Sequence, residues 1–199
     1  MWHCTRCQCH ISHVFQDLNL SLINKRVFNV ACLLGFGAIL GCTPDLNWRE
    51  IKSQQGSVRL LMPCKPEQAT RTVTLQANQK VVSTELHLQA CEAGRMQFAL
   101  GELKIPLESS SDALLDSWRL ASLAALKAQP SQSVTQPRKI NRNSPMLGLQ
   151  TRVETDHHQA QWAWFVLGNT IYQLGVYGES SDKKLSEIAD SYFSGIELP

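Results

Sequence analysis

Short stretches in which apolar and polar residues alternate recur from residue 47 onward, and they constrain the fold more than any other feature. In Ala69-Thr-Arg-Thr-Val-Thr-Leu75, for example, threonine occupies every second position and mostly apolar residues lie between. Such alternation gives a β-strand one apolar face. Comparable stretches predict further strands at 47–51, 57–62, 80–88, 95–100, 148–154, 159–167 and 170–177.

Turn-forming residues separate these predicted strands. Gln76-Ala-Asn-Gln79 connects two of them as a hairpin, and Gly168-Asn169 is typical of a tight two-residue turn. Gln55-Gly56 marks another turn near the start of the domain. Because the connections are short, neighbouring strands are expected to run antiparallel.

Two segments have helical rather than strand periodicity. Ser109 and Asp112 have the spacing of a capping box and predict a helix from about Ser111 to Gln129. Apolar residues spaced three or four positions apart predict a second helix, which begins at Ser181 and ends at Gly195. The order of strands, helix, strands, helix predicts an α+β fold, with an antiparallel sheet of about six to seven strands packed with two helices.

The segment between the first predicted helix and the later strands is polar, contains three prolines and has no periodicity. It predicts a mobile loop at 130–145 inside a single domain that spans 47–199.

An apolar run from Val27 to Gly41 follows the basic pair Lys25-Arg26. The run is shorter than the roughly 20 residues that a membrane-spanning helix needs. A basic region, a short apolar region and a small residue before the cleavage site are typical of a secretory signal peptide. The sequence therefore predicts that residues 1–41 are a leader.

The end of this run, Ile39-Leu40-Gly41-Cys42, resembles the lipobox of bacterial lipoproteins. The resemblance implies that the chain is cleaved before Cys42 and that this cysteine carries lipid, including palmitate. Residues 42–46 would then form a tether between the lipid and the domain. Thr43 and Pro44 follow the cysteine, and in the enteric sorting rule this implies the periplasmic face of the outer membrane. The alternative is an uncleaved inner-membrane anchor at 27–41.

The opening stretch Trp2–His13 contains three cysteines and three histidines. Cys4-x-x-Cys7 has the spacing of a zinc knuckle. Zinc modules normally draw their ligands from two separated pairs beside a folded core, whereas here all the candidates lie in one short stretch. We interpret the stretch in one of two ways: residues 1–22 are translated from upstream of the true start, or the whole stretch belongs to a long leader that is discarded. In both cases we predict no metal and no cofactor.

Two of the seven cysteines, Cys64 and Cys91, lie after Cys42. In an exported protein, disulfides form and persist, so these two cysteines are predicted to form a bridge. The alternative is that Cys64 acts as a nucleophile, for which the sequence shows no partner base.

Charge limits the partners that the chain can recognise. Residues 1–41 contain three of its 19 basic and one of its 17 acidic residues, so the remainder has a net charge of zero. A nucleic-acid binder would show a basic stripe, which is missing, so nucleic acid is not expected as a partner. The expected contacts are the membrane, through lipid on Cys42, and another envelope protein.

Three histidines are candidate functional residues. Asp156-His157-His158 is a compact polar group that could bind a metal or supply a base, but it is predicted to form the solvent-exposed end of a hairpin. His87 is expected to be a surface or hydrogen-bonded strand residue.

Trp162 and Trp164 are two residues apart, so both should lie on one face of a strand. They either pack in the core beneath a helix or form an exposed binding surface for a sugar or a peptide.

A second resemblance covers residues 47–199. The segments 58–66, 169–177 and 189–196 are similar in layout to the exported PsbP-like and DcrB-like domains. This resemblance implies a role in binding or assembly support and supplies no catalytic residues. The sequence therefore favours a binding module over an enzyme; the alternative is an envelope hydrolase or metal-binding protein that uses His157 and His158.

Overall fold

The computed structural model of the chain describes residues 46–54, 56–140 and 145–199. These residues form nine strands, two α-helices and a short 3-10 turn at Pro130–Gln132. The strands are β1 (Arg49–Lys52), β2 (Arg59–Met62), β3 (Glu67–Ala77), β4 (Lys80–Ala93), β5 (Met96–Lys104), β6 (Ser133–Lys139), β7 (Leu147–Glu154), β8 (His158–Leu167) and β9 (Thr170–Glu179). The helices are α1 (Ser111–Ala125) and α2 (Leu185–Ser194).

Seven of the strands form one antiparallel sheet in the order β3-β4-β5-β9-β8-β7-β6. β1 and β2 pair with each other in a hairpin outside the main sheet, and Arg59 of β2 also forms an isolated bridge with Glu197. The prediction of an α+β fold with six to seven antiparallel strands and two helices is confirmed. What the sequence did not predict is that the first two strands leave the main sheet.

The sheet has a hydrophobic core on each of its two faces. On one, here called the hairpin face, α2 and the β1–β2 hairpin cover Phe98, Leu100 and Leu174. On the other, here called the α1 face, helix α1 inserts Trp118 against Leu103 and its neighbours. Burial on both faces makes β8 and β9 nearly continuous apolar strands instead of alternating ones.

The predicted turns are present where the structure describes them. Asn78 and Gln79 have φ angles of 51° and 64° and link β3 to β4 as a two-residue hairpin. Gly168 has a φ of 57° and, with Asn169, links β8 to β9. Two-residue hairpins need positive φ angles because their twist must match that of the strands.

The predicted mobile loop at 130–145 is corrected by the structure over part of its length. Ser133–Lys139 forms β6, which pairs with β7 from Ser133 opposite Val153 to Lys139 opposite Leu147. Pro137 is compatible with this strand because β6 lies at the edge of the sheet. Residues 141–144 lie outside the described residues.

Helix α1 begins at Ser111 as predicted, and one end of each helix differs from the prediction. The N-cap of α1 is Ser110, not Ser109, and its hydroxyl accepts a hydrogen bond from the Ala113 amide at 3.4 Å. The helix ends at Ala125, four residues early, because Lys127 adopts a φ of 56°. Helix α2 begins at Leu185 instead of Ser181 and ends before Gly195, as predicted.

The predicted disulfide between Cys64 and Cys91 is confirmed, with the two Cα atoms 5.9 Å apart. It joins the segment after β2 to β4 and thereby ties the separate hairpin to the main sheet. The leader, the lipobox with Cys42, the tether up to Asp45 and the opening cysteine and histidine stretch lie outside the described residues. Neither α1 nor α2 has the length and apolar composition required to cross a bilayer.

All three tyrosines of the chain have raised pKa values. Burial raises the pKa of Tyr177 and that of Tyr192, the latter strongly, and burial together with the Glu102 carboxylate raises the pKa of Tyr172. The folded protein therefore retains phenolic protons that the unfolded chain loses at about pH 10. The corresponding stability is fully present below that pH and is lost as the pH rises above it.

We therefore expect tyrosinate absorbance to appear at higher pH in the folded protein than in the denatured chain, with Tyr192 the last phenol to ionise. The measurement is ultraviolet absorbance and circular dichroism recorded in parallel from about pH 8 to pH 12. Ionisation of all three phenols near pH 10 in a folded protein would contradict this expectation.

Candidate functional site

A groove runs beside α1 on the α1 face of the sheet. It consists of two adjoining cavities of about 640 and 550 Å³ that share Gln97, Ala125, Leu126 and Tyr177 as lining residues. Cavities of this size are in the range that binding sites occupy. We call the whole feature the α1 groove.

The half of the groove beside β3 and β4 is apolar. Its floor comes from alternate residues of the two strands and one wall comes from α1; the lining includes Val73, Leu75, Leu86, Leu88, Ala90, Trp118 and Ala121. Helix α1 packs over Leu75 and Leu86, which are buried, but leaves Ala90 exposed. The groove exists because the helix does not cover the full length of these strands.

The other half of the groove is polar. It is lined by charged and imidazole side chains from the end of β4, the β4–β5 turn, the segment after α1, the β7–β8 turn, the start of β8 and the end of β9. These residues are Glu92, Arg95, Lys127, Asp156, His157, His158 and Glu179. Arg95 Nη2 contacts Glu179 Oε2 at 2.8 Å. Both side chains are mostly exposed, so this ion pair adds little stability. Because acidic and basic groups are mixed, the groove has no single sign of charge.

Tyr177 lies where the two halves meet. Trp162 Nε1 donates a hydrogen bond to the Tyr177 hydroxyl at 2.9 Å, and the two rings pack edge to face with centroids 5.9 Å apart. The Tyr177 ring folds back over Gly175, where a Cβ atom would lie 2.8 Å from its Cε2 atom. Gly175 therefore allows the phenol to lie against the sheet.

The histidine pair is at the exposed end of the hairpin, as predicted. Asp156, His157 and His158 are all exposed, and the two imidazole centroids are 6.5 Å apart. The Thr155 hydroxyl donates to the His158 carbonyl at 2.9 Å and accepts from the His158 amide at 3.0 Å, which fixes the backbone of the turn. Among the residues that the structure describes, no three His, Cys, Asp or Glu side chains are grouped so that they could hold a metal ion.

His87 is a hydrogen-bonded strand residue and lies apart from the groove. Its Nδ1 atom is 2.8 Å from Thr70 Oγ1, and its Nε2 atom is 3.6 Å from Glu85 Oε2. The structure therefore does not bring His87 together with His157 and His158.

Trp162 and Trp164 share the α1 face of β8, and both are fully buried. Trp164 packs edge to face against Trp118 of α1 with centroids 5.3 Å apart. The two tryptophans therefore form core beneath a helix, and the interpretation of them as an exposed binding surface is corrected. Trp118 of α1 covers Trp164, while Trp162 packs against Trp164 and Tyr177.

Sequence reasoning missed the groove and Tyr177. One available signal was the alternation of Leu86, Leu88 and Ala90 in β4, which gives one apolar face that extends toward the end of the strand. A second signal was Gly175, a glycine inside a strand, which often marks a close approach.

Comparison of the sequence with protein-family models and with curated proteins finds no match. The chemistry of the groove is therefore the basis for a function. The apolar floor and the mixed-charge end of the groove suit an extended polypeptide segment, which carries both apolar and charged side chains.

Proposed function

We propose that the protein is a lipid-anchored lipoprotein of the bacterial cell envelope that binds another envelope protein through the α1 groove. The observation that carries the binding proposal is an uncovered apolar floor beside α1 that continues into a polar rim. Such uncovered apolar surfaces rimmed by polar groups are typical of interaction sites.

The envelope location is supported by two features of different kinds. The Cys64–Cys91 disulfide is characteristic of oxidising compartments such as the periplasm. The segment Ile39-Leu40-Gly41-Cys42 has the lipobox pattern, and several acyl chains on Cys42 would bind the membrane firmly where one chain would not. The periplasmic face of the outer membrane is the location we favour.

A binding role fits the groove better than hydrolysis or metal chemistry does. The His157 and His158 rings are exposed on the rim of the groove instead of enclosed with a reacting group. Enzymes usually place acids and bases in sites that exclude water. The residues that line the floor are mainly alanine, valine and leucine, which supply contact area and no acid or base.

The anchor is tested by the intact mass of the protein extracted from host membranes without reducing agent. We expect a mass equal to residues 42–199 plus acyl chains, less two hydrogens for the disulfide. The Cys42→Ser variant should lack the acyl mass and leave the membrane fraction. A mass that retains residues 1–41 would disprove the lipoprotein proposal and would favour an uncleaved anchor.

The binding role is tested with a photo-crosslinking amino acid at Ala121, compared with the same residue at Ala124. Both positions are exposed in α1, but of the two only Ala121 lines the groove. We expect Ala121 to give one reproducible protein adduct in cells, and Ala124 to give much less. Adding Ala90→Arg, which places a charge on the exposed part of the floor, should remove the adduct. Equal labelling from both positions would contradict a role for the groove.

A further inference from the structure

The strand β3 forms one edge of the large sheet, and α1 packs on the face of its second half, where Val73, Leu75 and Ala77 belong to the α1-face core. It pairs with β4 along its whole length, from Glu67 opposite Ala90 to Ala77 opposite Lys80. On its other side β3 pairs with no strand in the part of the chain that the structure describes. Residues 67–72 are all exposed. An edge of this length presents a row of backbone donors and acceptors to any strand that can reach it.

The opposite edge of the sheet is protected in ways that β3 is not. β6 is seven residues long and contains Pro137, which cannot donate a hydrogen bond, followed by Arg138 and Lys139. Proline, charge and short length are the usual features that prevent edge pairing. β3 has 11 residues and no proline, and its charged residues are Glu67 and Arg71. β3 therefore lacks the proline and the short length that protect β6.

The sequence of β3 is nearly symmetric about its central residue, Thr72. Read outward from Thr72, both directions give threonine at the second position and glutamine at the fourth, and an apolar residue at the third. The segment is Gln68-Ala-Thr-Arg-Thr-Val-Thr-Leu-Gln76. A strand with this symmetry is complementary to a second copy of itself running in the opposite direction.

We propose that two copies of the protein associate through β3, antiparallel, with a two-fold axis beside Thr72. The two seven-stranded sheets then become one continuous sheet. The same patch serves on both copies, as a two-fold dimer interface requires. This inference goes beyond the proposed binding of another protein. β3 contributes Val73 and Leu75 to the floor of the α1 groove, whereas the dimer uses the backbone edge of the same strand.

The side-chain pairs that this register creates are favourable on both faces. On the face that carries the even-numbered residues, Thr72 lies opposite its own copy, Thr70 opposite Thr74, and Gln68 opposite Gln76. Threonine pairs across strands hydrogen-bond and are stabilising. On the α1 face, Ala69 lies opposite Leu75. Arg71 lies opposite Val73 and Glu67 opposite Ala77, so no two like charges are directly opposed.

The axis of such a dimer is perpendicular to the sheet, so each face of one copy continues into the same face of the other. Leu46 and Trp48, at the start of the described chain, pack on the hairpin face. The described parts of both copies therefore begin on one side of the joined sheet, an arrangement that suits the proposed anchorage in a single membrane. The two α1 grooves lie together on the opposite side.

The register is tested by cysteine crosslinking of the protein in its own membranes. Thr72→Cys should give a covalent dimer, because directly opposed residues in antiparallel strands have Cα atoms about 4.5–5.5 Å apart, within disulfide range. Thr74→Cys is the matched control and should not crosslink to itself, but it should crosslink to Thr70→Cys when both variants are expressed together. Crosslinking of Thr74→Cys to itself, or a mixed disulfide of Thr72→Cys with a different protein, would overturn the proposal.

The association itself is tested by sedimentation of the detergent-extracted protein carrying Thr72→Lys. In one copy the new lysine faces Glu85 of β4, which is favourable, but in the dimer two lysines meet at the axis. We expect the dimer dissociation constant to rise at least about tenfold. Gln136→Lys adds the same charge to the exposed face of β6 and should leave the dimer intact.

A wild-type protein that sediments as a monomer at all concentrations, or a Thr72→Lys dimer as tight as the wild type, would refute the dimer. Either result would leave the groove proposal standing if the Ala121 adduct is still observed. Absence of the Ala121 adduct together with an intact Thr72→Cys dimer would refute the groove proposal and support the dimer. The two proposals therefore fail separately.

Discussion

Replacement of Trp164 by alanine is expected to lower the free energy of unfolding by about 3–5 kcal/mol, which is typical for a buried tryptophan. Trp164 is fully buried between β7, β9 and α1 and contacts both Trp118 and Trp162. Its loss would leave a cavity at the centre of the α1-face core. Chemical denaturation followed by circular dichroism measures the effect.

Replacement of the same residue by phenylalanine is the matched control. Trp164 Nε1 is buried without a hydrogen-bond partner in the described structure, so Trp164→Phe removes an unsatisfied donor along with some volume. Trp162 Nε1 donates to Tyr177, so Trp162→Phe also removes a hydrogen bond. We expect Trp164→Phe to lower the free energy of unfolding less than Trp162→Phe does. A Trp164→Ala protein as stable as the wild type would show that the helix does not pack on β8.

Removal of the disulfide, by Cys64→Ala together with Cys91→Ala, is expected to cost about 3–4 kcal/mol of unfolding free energy. The bridge closes a loop between residues that are 27 positions apart. Its main effect is to restrict the unfolded chain, because the reduced chain has more conformations to lose on folding. Denaturant titrations of the variant and the wild type give the difference.

The wild type unfolded in the presence of a reducing agent provides the control for the disulfide experiment. Reduction should lower its stability to about that of the double variant, while the double variant itself should not respond. A reduced wild type that keeps its full stability would contradict the predicted contribution of the bridge.

Much of the sheet was predictable because burial is periodic in sequence. β3, β7, β8 and β9 were located to within about two residues at each end, and the Gly168-Asn169 turn was identified, because glycine is readily accommodated at positive φ. The disulfide was predicted by counting the cysteines that remain after Cys42.

Which distant elements pair or pack with each other was harder to predict from the sequence. β6 is an edge strand with mostly exposed residues, so it has no apolar face for a pattern to reveal. The β1–β2 hairpin has the same local alternation as the main sheet, and only tertiary packing with α2 separates it. Helix α1 ends early because Lys127 has a positive φ angle. Lysine, unlike glycine or asparagine, does not predict a left-handed conformation.

The candidate site could not be derived from any motif. The α1 groove is defined by how far a helix reaches across strands, and that distance depends on where α1 ends and how it crosses the sheet. The tryptophans were located on the correct strand face, but whether a face is covered is a property of the whole fold. The alternation of Leu86, Leu88 and Ala90 showed an apolar face without showing that part of it stays open.

The position of β9 beside β5 sets the order in which the molecule can assemble. Leu100 pairs with Leu174, so the centre of the sheet joins segments that are far apart in the chain. The isolated bridge between Arg59 and Glu197 likewise needs residues near the C-terminus. Because non-local pairing is slow, we expect β3, β4 and β5 to form a three-stranded meander first. Both edges of this meander stay unpaired until β9 pairs with β5. A chain that passes through a secretion channel N-terminus first would therefore remain loosely folded until almost all of it had emerged. For the export proposed above, such late closure would require protection of the chain from aggregation during transit.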